Sequence, residues 1–243
     1  MLTLLDLTLP TAAENLALEE ALLEAAEEGV GAGSVLRLWE PTAPCVVVGR
    51  SSRVEQEVRV AECRKLGIPI LRRCSGGAAI VTGPGCLMYA VILPYAEHPA
   101  LRVLEQAHRF VLEIMARAIS QAMGGTESVA QCGTSDLAVA NRKFSGNSLR
   151  CKRDHLLYHG TILYDFPLEL IATCLGTPPR QPDYRALRDH ATFVTNIAAP
   201  RDALRAQIAE AWQATDRANA WPRAAVADLV FDRYGQESWN LRF

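Results

Sequence analysis

The strand-forming segments of this 243-residue chain arrive back to back, and helical segments fall between groups of them instead of alternating one for one. A parallel pair needs a crossover of a dozen or more residues, so this order disfavours repeated βαβ units. It points to an α+β fold, a mixed, mainly antiparallel sheet flanked by helices. The clearest case is DLAVANRKFSG (136–146), where two extended segments meet at an Ala-Asn turn, with LLYHGTILY (156–164) following as a third strand. Upstream, a GPGC turn leads into LMYAVILP, a buried strand, and IPILRR is a strand that runs into a loop. The opening LTLLDLTLP alternates like a strand, while VLRLWE (35–40) and CVVVGR (45–50), joined through a Pro-containing turn, predict a hairpin.

Thr11-x-x-Glu14 has the spacing of a capping box and starts a helix running to Gly29, with Leu16, Leu22, Leu23 and Ala26 on one side. Residues 57–66 predict a short helix closed by Gly67. From Pro99 to Met123 the apolar positions 103, 104, 107, 110, 111, 114, 115, 118 and 119 keep a helical period. Further helices are expected to start near Pro167, Pro200 and Pro222, where proline suits a first turn. No repeat, low-complexity tract or linker interrupts the chain, so one domain spanning 1–243 is expected.

A formal net charge of −2 gives no electrostatic reason to expect nucleic acid as a partner. The acidic N-terminal segment and the lack of a long apolar run argue against a secretory leader and a membrane span. Seven scattered cysteines with no C-x-x-C pair fit neither a disulfide framework nor a structural zinc site. A soluble protein of a reducing, cytoplasmic compartment is the expectation.

Two stretches carry chemistry. RRCSGGAAIV (72–81) sets Arg72, Arg73 and Ser75 before Gly76, Gly77 and Ala78. Backbone N–H groups at glycines can approach phosphate or carboxylate oxygens, and arginines add fork-shaped cationic donors. The bland alternative is a glycine turn between solvated arginines. In NRKFSGN, Lys143 follows a tight turn and precedes Ser145 and Gly146, so a hairpin can aim its ammonium. In LLYHGTILY, alternation puts Leu157, His159, Thr161 and Leu163 on one face, and polar side chains among leucines suggest a pocket wall. An exposed lysine and a hydrogen-bonded core histidine are the plain alternatives.

Taken together, RRCSGGA, NRKFSGN and HGTIL, in that order, resemble the lipoate–protein ligase family, within the biotin/lipoate ligase fold that also includes octanoyltransferases. ENLALEEALL, LRLWE, VVVGR, GTSDLA and FVTNI add to the resemblance, which covers residues 1–199 well and the remainder weakly. It implies a biotin/lipoate ligase-like catalytic domain with no C-terminal accessory domain in this chain. It also implies an acyl-adenylate mechanism: lipoate and Mg-ATP give lipoyl-AMP, and the lipoyl group passes to a lysine of a lipoyl carrier domain. Lipoate, octanoate and a separate accessory protein are the other implied partners. In these roles Lys143 supplies catalytic positive charge; Arg72, Arg73, Ser75, Gly76, Gly77, Ala78, Ser145, Gly146 and Thr161 line the ligand site; Trp39 and His159 line the acyl tunnel; and Asp136 assists Mg2+. An octanoyltransferase with a Cys132 thioester is the alternative, Cys74 being a second thiol to weigh, and a silent lipoyl-domain binder is a third reading. Arg150, Lys152 and Arg153 are either a solvated basic turn or a steering patch for an acidic acceptor.

Overall fold

The computed structural model describes residues 2–125, 127–178 and 180–243. Met1, Thr126 and Pro179, which the expected 1–243 domain includes, lie outside them. Strand β1 (Thr3–Asp6) pairs in parallel with β2 (Val35–Trp39), and α1 (Ala12–Glu27) makes the crossover between them. One βαβ unit therefore opens a mixed, mainly antiparallel fold, in which β1–β11 and β3–β4 are the other parallel pairs among the described residues. The capping box forms as expected: the Glu14 N–H donates to Thr11 Oγ1 at 3.2 Å, and the Thr11 N–H donates to the Glu14 carboxylate at 2.8 Å.

The predicted hairpin of β2 with β3 (Cys45–Val48) does not form. Both edges of β2 are taken, by β1 and by β6 (Cys86–Pro94), so β3 enters a second sheet between β4 (Ile70–Arg72) and β5 (Ile80–Thr82). Pro41 and Pro44 mark the passage, since neither can donate to a ladder that would hold the two strands together. The expected 57–66 helix is split into α2 (Val54–Glu57) and α3 (Val60–Lys65), because Val58 is extended and bridges to Leu175.

The main sheet has eight strands in the order β11-β1-β2-β6-β10-β9-β8-β7. Here β7 is Val129–Cys132, β8 Asp136–Val139, β9 Arg142–Cys151, β10 His155–Leu163 and β11 Asp216–Arg217. Strands β6 and β10 pair along their whole length, Cys86 opposite Leu163 and Pro94 opposite His155. The Ala140-Asn141 turn has two positive φ values, 46° and 60°, as a tight hairpin requires.

One face of the sheet is covered by α4 (Leu104–Ala122) and α7 (Arg201–Ala211), which bury Leu36, Tyr89, Leu156, Tyr158 and Ile162. On the other face, Ala90, Ile92 and Leu157 pack under α1 and α8 (Arg223–Leu229), and Trp39, Met88 and Leu163 pack against the second sheet. Helix α1 is buried without a break from Asn15 to Leu23 because it lies between the two sheets and the C-terminal helices. The short α5 (Glu169–Cys174) and α6 (His190–Phe193) lie between β10 and α7 in the chain. Helix α8 runs into a π-helical turn, Val230–Tyr234, before α9 (Glu237–Asn240). Among the described residues no helix is long and apolar enough to cross a membrane.

Candidate active site

Leu157 and Leu163 sit in two different apolar clusters, which leaves His159 and Thr161 between them on one face of β10. The predicted alternation therefore holds, and it opens a polar gap in the sheet's second face.

Over that gap lies the loop that follows β4. Arg73 turns inward and is buried, donating to Val47 O at 3.1 Å, Ser75 Oγ at 3.1 Å, Gly76 O at 2.6 Å and Ala78 O at 3.0 Å. The loop thus wraps its carbonyl oxygens around a guanidinium. The N–H groups of Gly76, Gly77 and Ala78 donate to no acceptor among the described residues. All three residues are exposed, so these donors are open to a ligand or to solvent. Gly77 needs its positive φ of 86°, and a Cβ there would stand 2.9 Å from Arg73 Nη2. Burial pulls the Arg73 pKa down to about 10, with Glu57 opposing, so the group stays cationic at neutral pH. A second loop locks the first: Arg50 N–H donates to Ser75 O at 2.7 Å, Ser52 Oγ donates to Gly77 O at 3.1 Å, and the Glu57 carboxylate accepts the Ala79 N–H at 2.6 Å.

Arg72 does not join the site. It is fully buried and donates to Gly49 O at 2.7 Å, Ser52 O at 2.9 Å and Trp239 O at 3.1 Å, so it braces the loop from behind. The reason is strand parity: successive side chains of a strand leave on opposite sides.

Ser75 links the loop to the sheet. Its hydroxyl lies 2.6 Å from His159 Nε2, and His159 Nδ1 lies 2.5 Å from the Glu19 carboxylate. Trp39 Nε1 donates to the other Glu19 oxygen at 2.8 Å, and Arg37 stands 3.9 Å away. Burial works to raise the Glu19 pKa, but His159, Arg37 and the indole N–H outweigh it and hold the group below the usual carboxylate range. An ionised Glu19 accepts from the Nδ1–H of His159, which leaves Nε2 turned to Ser75. Trp39 is completely buried beneath this chain of bonds.

Lys143 owes its direction to a β-bulge. The pairing of β8 with β9 shifts between Leu137 and Ala138, leaving Phe144 as the extra residue, which drops into the α4-side core. The Lys143 ammonium is thereby carried over Gly146, where a Cβ would meet Nζ at 3.0 Å. It pairs with Asp136 Oδ1 at 2.7 Å, while the Tyr184 hydroxyl donates to Asp136 Oδ2 at 2.8 Å. The Gly146 N–H donates to Thr161 Oγ1 at 3.3 Å, and the Ser145 hydroxyl accepts from Asn147 Nδ2 at 3.1 Å. The backbone of Lys143 is fixed by the Thr195 N–H at 2.9 Å, which gives FVTNI a structural purpose. Ser148 Oγ donates to Gly76 O at 2.9 Å, and Gly146 is two residues along the same strand, a rise of roughly 7 Å. Glycine loop and lysine therefore share one face at small-ligand distance.

Neither weighed thiol is activated. Burial and Asp136 raise the Cys132 pKa, and burial with Glu20 and Glu19 raises that of Cys74. Of the basic cluster, Lys152 pairs with Glu24 at 2.6 Å and Arg153 with Asp154 at 2.8 Å. Asp136 has both oxygens engaged, and no group of three or more His, Cys, Asp or Glu among the described residues could hold a metal ion. The sequence reading missed Glu19, Tyr184 and Ser148; of these only Glu19 left a signal, an acid three residues from Leu16 and Leu22 on the apolar side of α1.

Residues 11–215 match the family model described as the lipoyl protein ligase A/B catalytic domain, which leaves 216–243 unmatched. A curated relative from Mycoplasma pneumoniae named "Probable lipoate-protein ligase A" is 31% identical over 67% of this chain and 45% of its own length. Octanoyltransferase LipM of Carboxydothermus hydrogenoformans is 26% identical over 95% of each chain. The chain spans about half the length of the curated ligases it matches. Among solved structures, a bi-partite lipoate protein ligase studied with its E2 lipoyl domain from Thermoplasma acidophilum has a TM-score of 0.81 at 19% identity, covering 99% of this chain and 96% of that one. A lipoate-protein ligase A bound with ATP gives 0.78 at 19% identity, covering 99% and 98%. At such identities the two structures bear on the fold alone.

Proposed function

The chain belongs to the lipoyl protein ligase A/B catalytic-domain family, and from that premise we propose that it is an ATP-dependent lipoate–protein ligase. A lipoate carboxylate oxygen attacks the α-phosphorus of ATP and pyrophosphate leaves. The ε-amine of a carrier-domain lysine then attacks the acyl carbon, AMP leaves, an amide forms and the amine gives up a proton. One observation carries this reading: the loop of Gly76, Gly77 and Ala78, whose N–H groups have no acceptor among the described residues, is tied through Ser148 to the strand that carries the bulge-aimed ammonium of Lys143. Such donors suit a ligand that is anionic throughout and gains negative charge as it reacts. Within the same reading Trp39, Glu19 and His159 close the acyl end of the site, and Ser75 and Thr161 line it. Magnesium travels with the phosphates of ATP as part of the substrate, and Asp136 serves as the counter-charge of Lys143.

The transferase reading has its own support in the full-length match to an octanoyltransferase LipM. Against it stand the two raised thiols, since the thiolate is the nucleophile in a thioester mechanism. Incubation with lipoate, ATP and an apo lipoyl domain, with an octanoyl-carrier-protein reaction in parallel, separates the two. Lipoylation that requires ATP and releases AMP supports the ligase; acyl transfer from the carrier without ATP replaces it with the transferase. The bi-partite relative supports a separate accessory protein as second component. Lipoyl-AMP formed by the purified chain alone would remove that component.

A further inference from the structure

The segment 216–243 lies outside the matched family residues, yet its end is bound to the back of the glycine loop. Asn240 Oδ1 accepts the Arg72 N–H at 2.9 Å, Trp239 Nε1 donates to Arg72 O at 2.8 Å, and Arg72 Nε donates to Trp239 O at 3.1 Å. Phe243 lies against the Arg72 guanidinium, 5.4 Å from ring centroid to Cζ, and its carbonyl accepts the Val54 N–H at 2.8 Å. Arg242 donates to Arg50 O at 3.1 Å and stacks on Trp239 at 4.0 Å. The tail is itself moored on α1, where Arg233 pairs with Glu20 and the Tyr234 hydroxyl donates to Glu20 at 2.6 Å.

Arg72 is the hub. A buried cation is costly unless its donors are met, and here Gly49, Ser52 and Trp239 supply carbonyls to it. Two of these come from the loop that locks the glycine segment through Arg50 and Ser52, and the third comes from the tail. The tail thus supplies one of the carbonyls that Arg72 reaches, from Trp239, and an aromatic face, from Phe243, beside a guanidinium whose Nη2 has no hydrogen-bond partner.

We infer that residues 239–243 are a positioning clamp for the ligand-binding loop: Trp239 and Asn240 hold Arg72, Arg72 holds residues 49–52, and these hold Ser75 and Gly77 in their anion-binding geometry. Trp239 and Asn240 are positioning residues that reach the ligand only through Arg72. The inference rests on the adenylate reading of the loop for its functional consequence, though the clamp can be read without any ligand.

Two variants test it. Trp239→Phe keeps the stacked ring and removes only the indole donor, and Asn240→Ala removes the acceptor for the Arg72 N–H. Leu204→Ala, on the opposite face of the sheet, serves as a control for lost stability alone. The first measurement is hydrogen exchange of the ligand-free proteins over a peptide spanning 70–79. Both clamp variants should exchange faster there, and the control should not. The second is the affinity of a non-hydrolysable sulfamoyl analogue of an acyl-adenylate, well below each Tm, with a loss of about 5- to 20-fold expected for each clamp variant and none for the control. Unchanged exchange over 70–79 in both clamp variants overturns the inference. So does an affinity loss no greater than that of the control at equal loss of Tm. Faster exchange in a protein whose wild type fails to bind the analogue would sustain the clamp and overturn the adenylate reading alone.

Discussion

Lys143 is an ordinary surface residue type made specific by three fixed points: the Thr195 N–H on its backbone, Asp136 on its ammonium and Gly146 beneath it. Replacing it with alanine should leave the fold intact and lower lipoyl transfer by about 10²-fold or more, the usual scale for losing a preorganised charge donor. Near-normal transfer by a folded Lys143→Ala protein would remove the lysine from the mechanism. Glu19 carries a different kind of prediction. Its folded pKa lies below the unfolded one, so its stabilisation is complete above the ordinary carboxylate value and is lost as pH falls through the folded value. The Tm advantage of wild type over Glu19→Gln should therefore shrink as pH is lowered from about 5 to about 3. An advantage that stays constant across that window would show that Glu19 does not titrate there. Cys132→Ser should keep most of the ATP-dependent activity and show no acyl adduct by intact-protein mass spectrometry. An octanoyl adduct on Cys132 formed without ATP would establish the thioester route.

At the scale of elements, the site is a meeting of two loops and a bulged hairpin, each with a backbone requirement. The two loops approach so closely that a Cβ on Gly49 would sit 2.0 Å from the Gly77 carbonyl oxygen. Gly49→Ala should push the 73–78 loop away and weaken binding of an acyl-adenylate analogue while the α4-side core, which shares no residue with this contact, stays folded. Gly77→Val adds strain at a φ of 86° and crowds Arg73. Calorimetry on both variants checks this, and unaltered affinity in both would mean that the loop is only a turn. The bulge at Phe144 deserves equal weight, because removing one residue from β9 would swing Lys143 toward the other face of the sheet.

For the whole molecule, β6 and β10 form the spine: they pair along their whole length and every residue of β10 from Leu156 to Leu163 is buried. Amides of these two strands should exchange last in native-state hydrogen exchange, and those of β7, at the sheet edge with exposed residues, should exchange much earlier. Equal protection across the sheet would contradict this ordering. Loss of the α4-side core is therefore expected to coincide with global unfolding, while the loops over the site open at lower cost.

Local chemistry made much of this legible in the chain. The capping box, the Ala-Asn turn, the period of α4 and the alternation of β10 each depend on residues within a few positions of one another, so the sequence alone determined those elements and the α+β class. The arginine–glycine and lysine segments were legible as candidate ligand loops for the same reason: glycines and a hairpin lysine announce a backbone need. What tertiary structure decided depends on partners far apart in the chain. Only the occupied edges of β2 sent β3 to a second sheet, and only strand parity and the tail at 239–243 separated Arg72, a brace, from Arg73, the loop's centre. Glu19 came to His159 across 140 residues and Tyr184 to Asp136 across 48, contacts that packing creates and that no local pattern encodes.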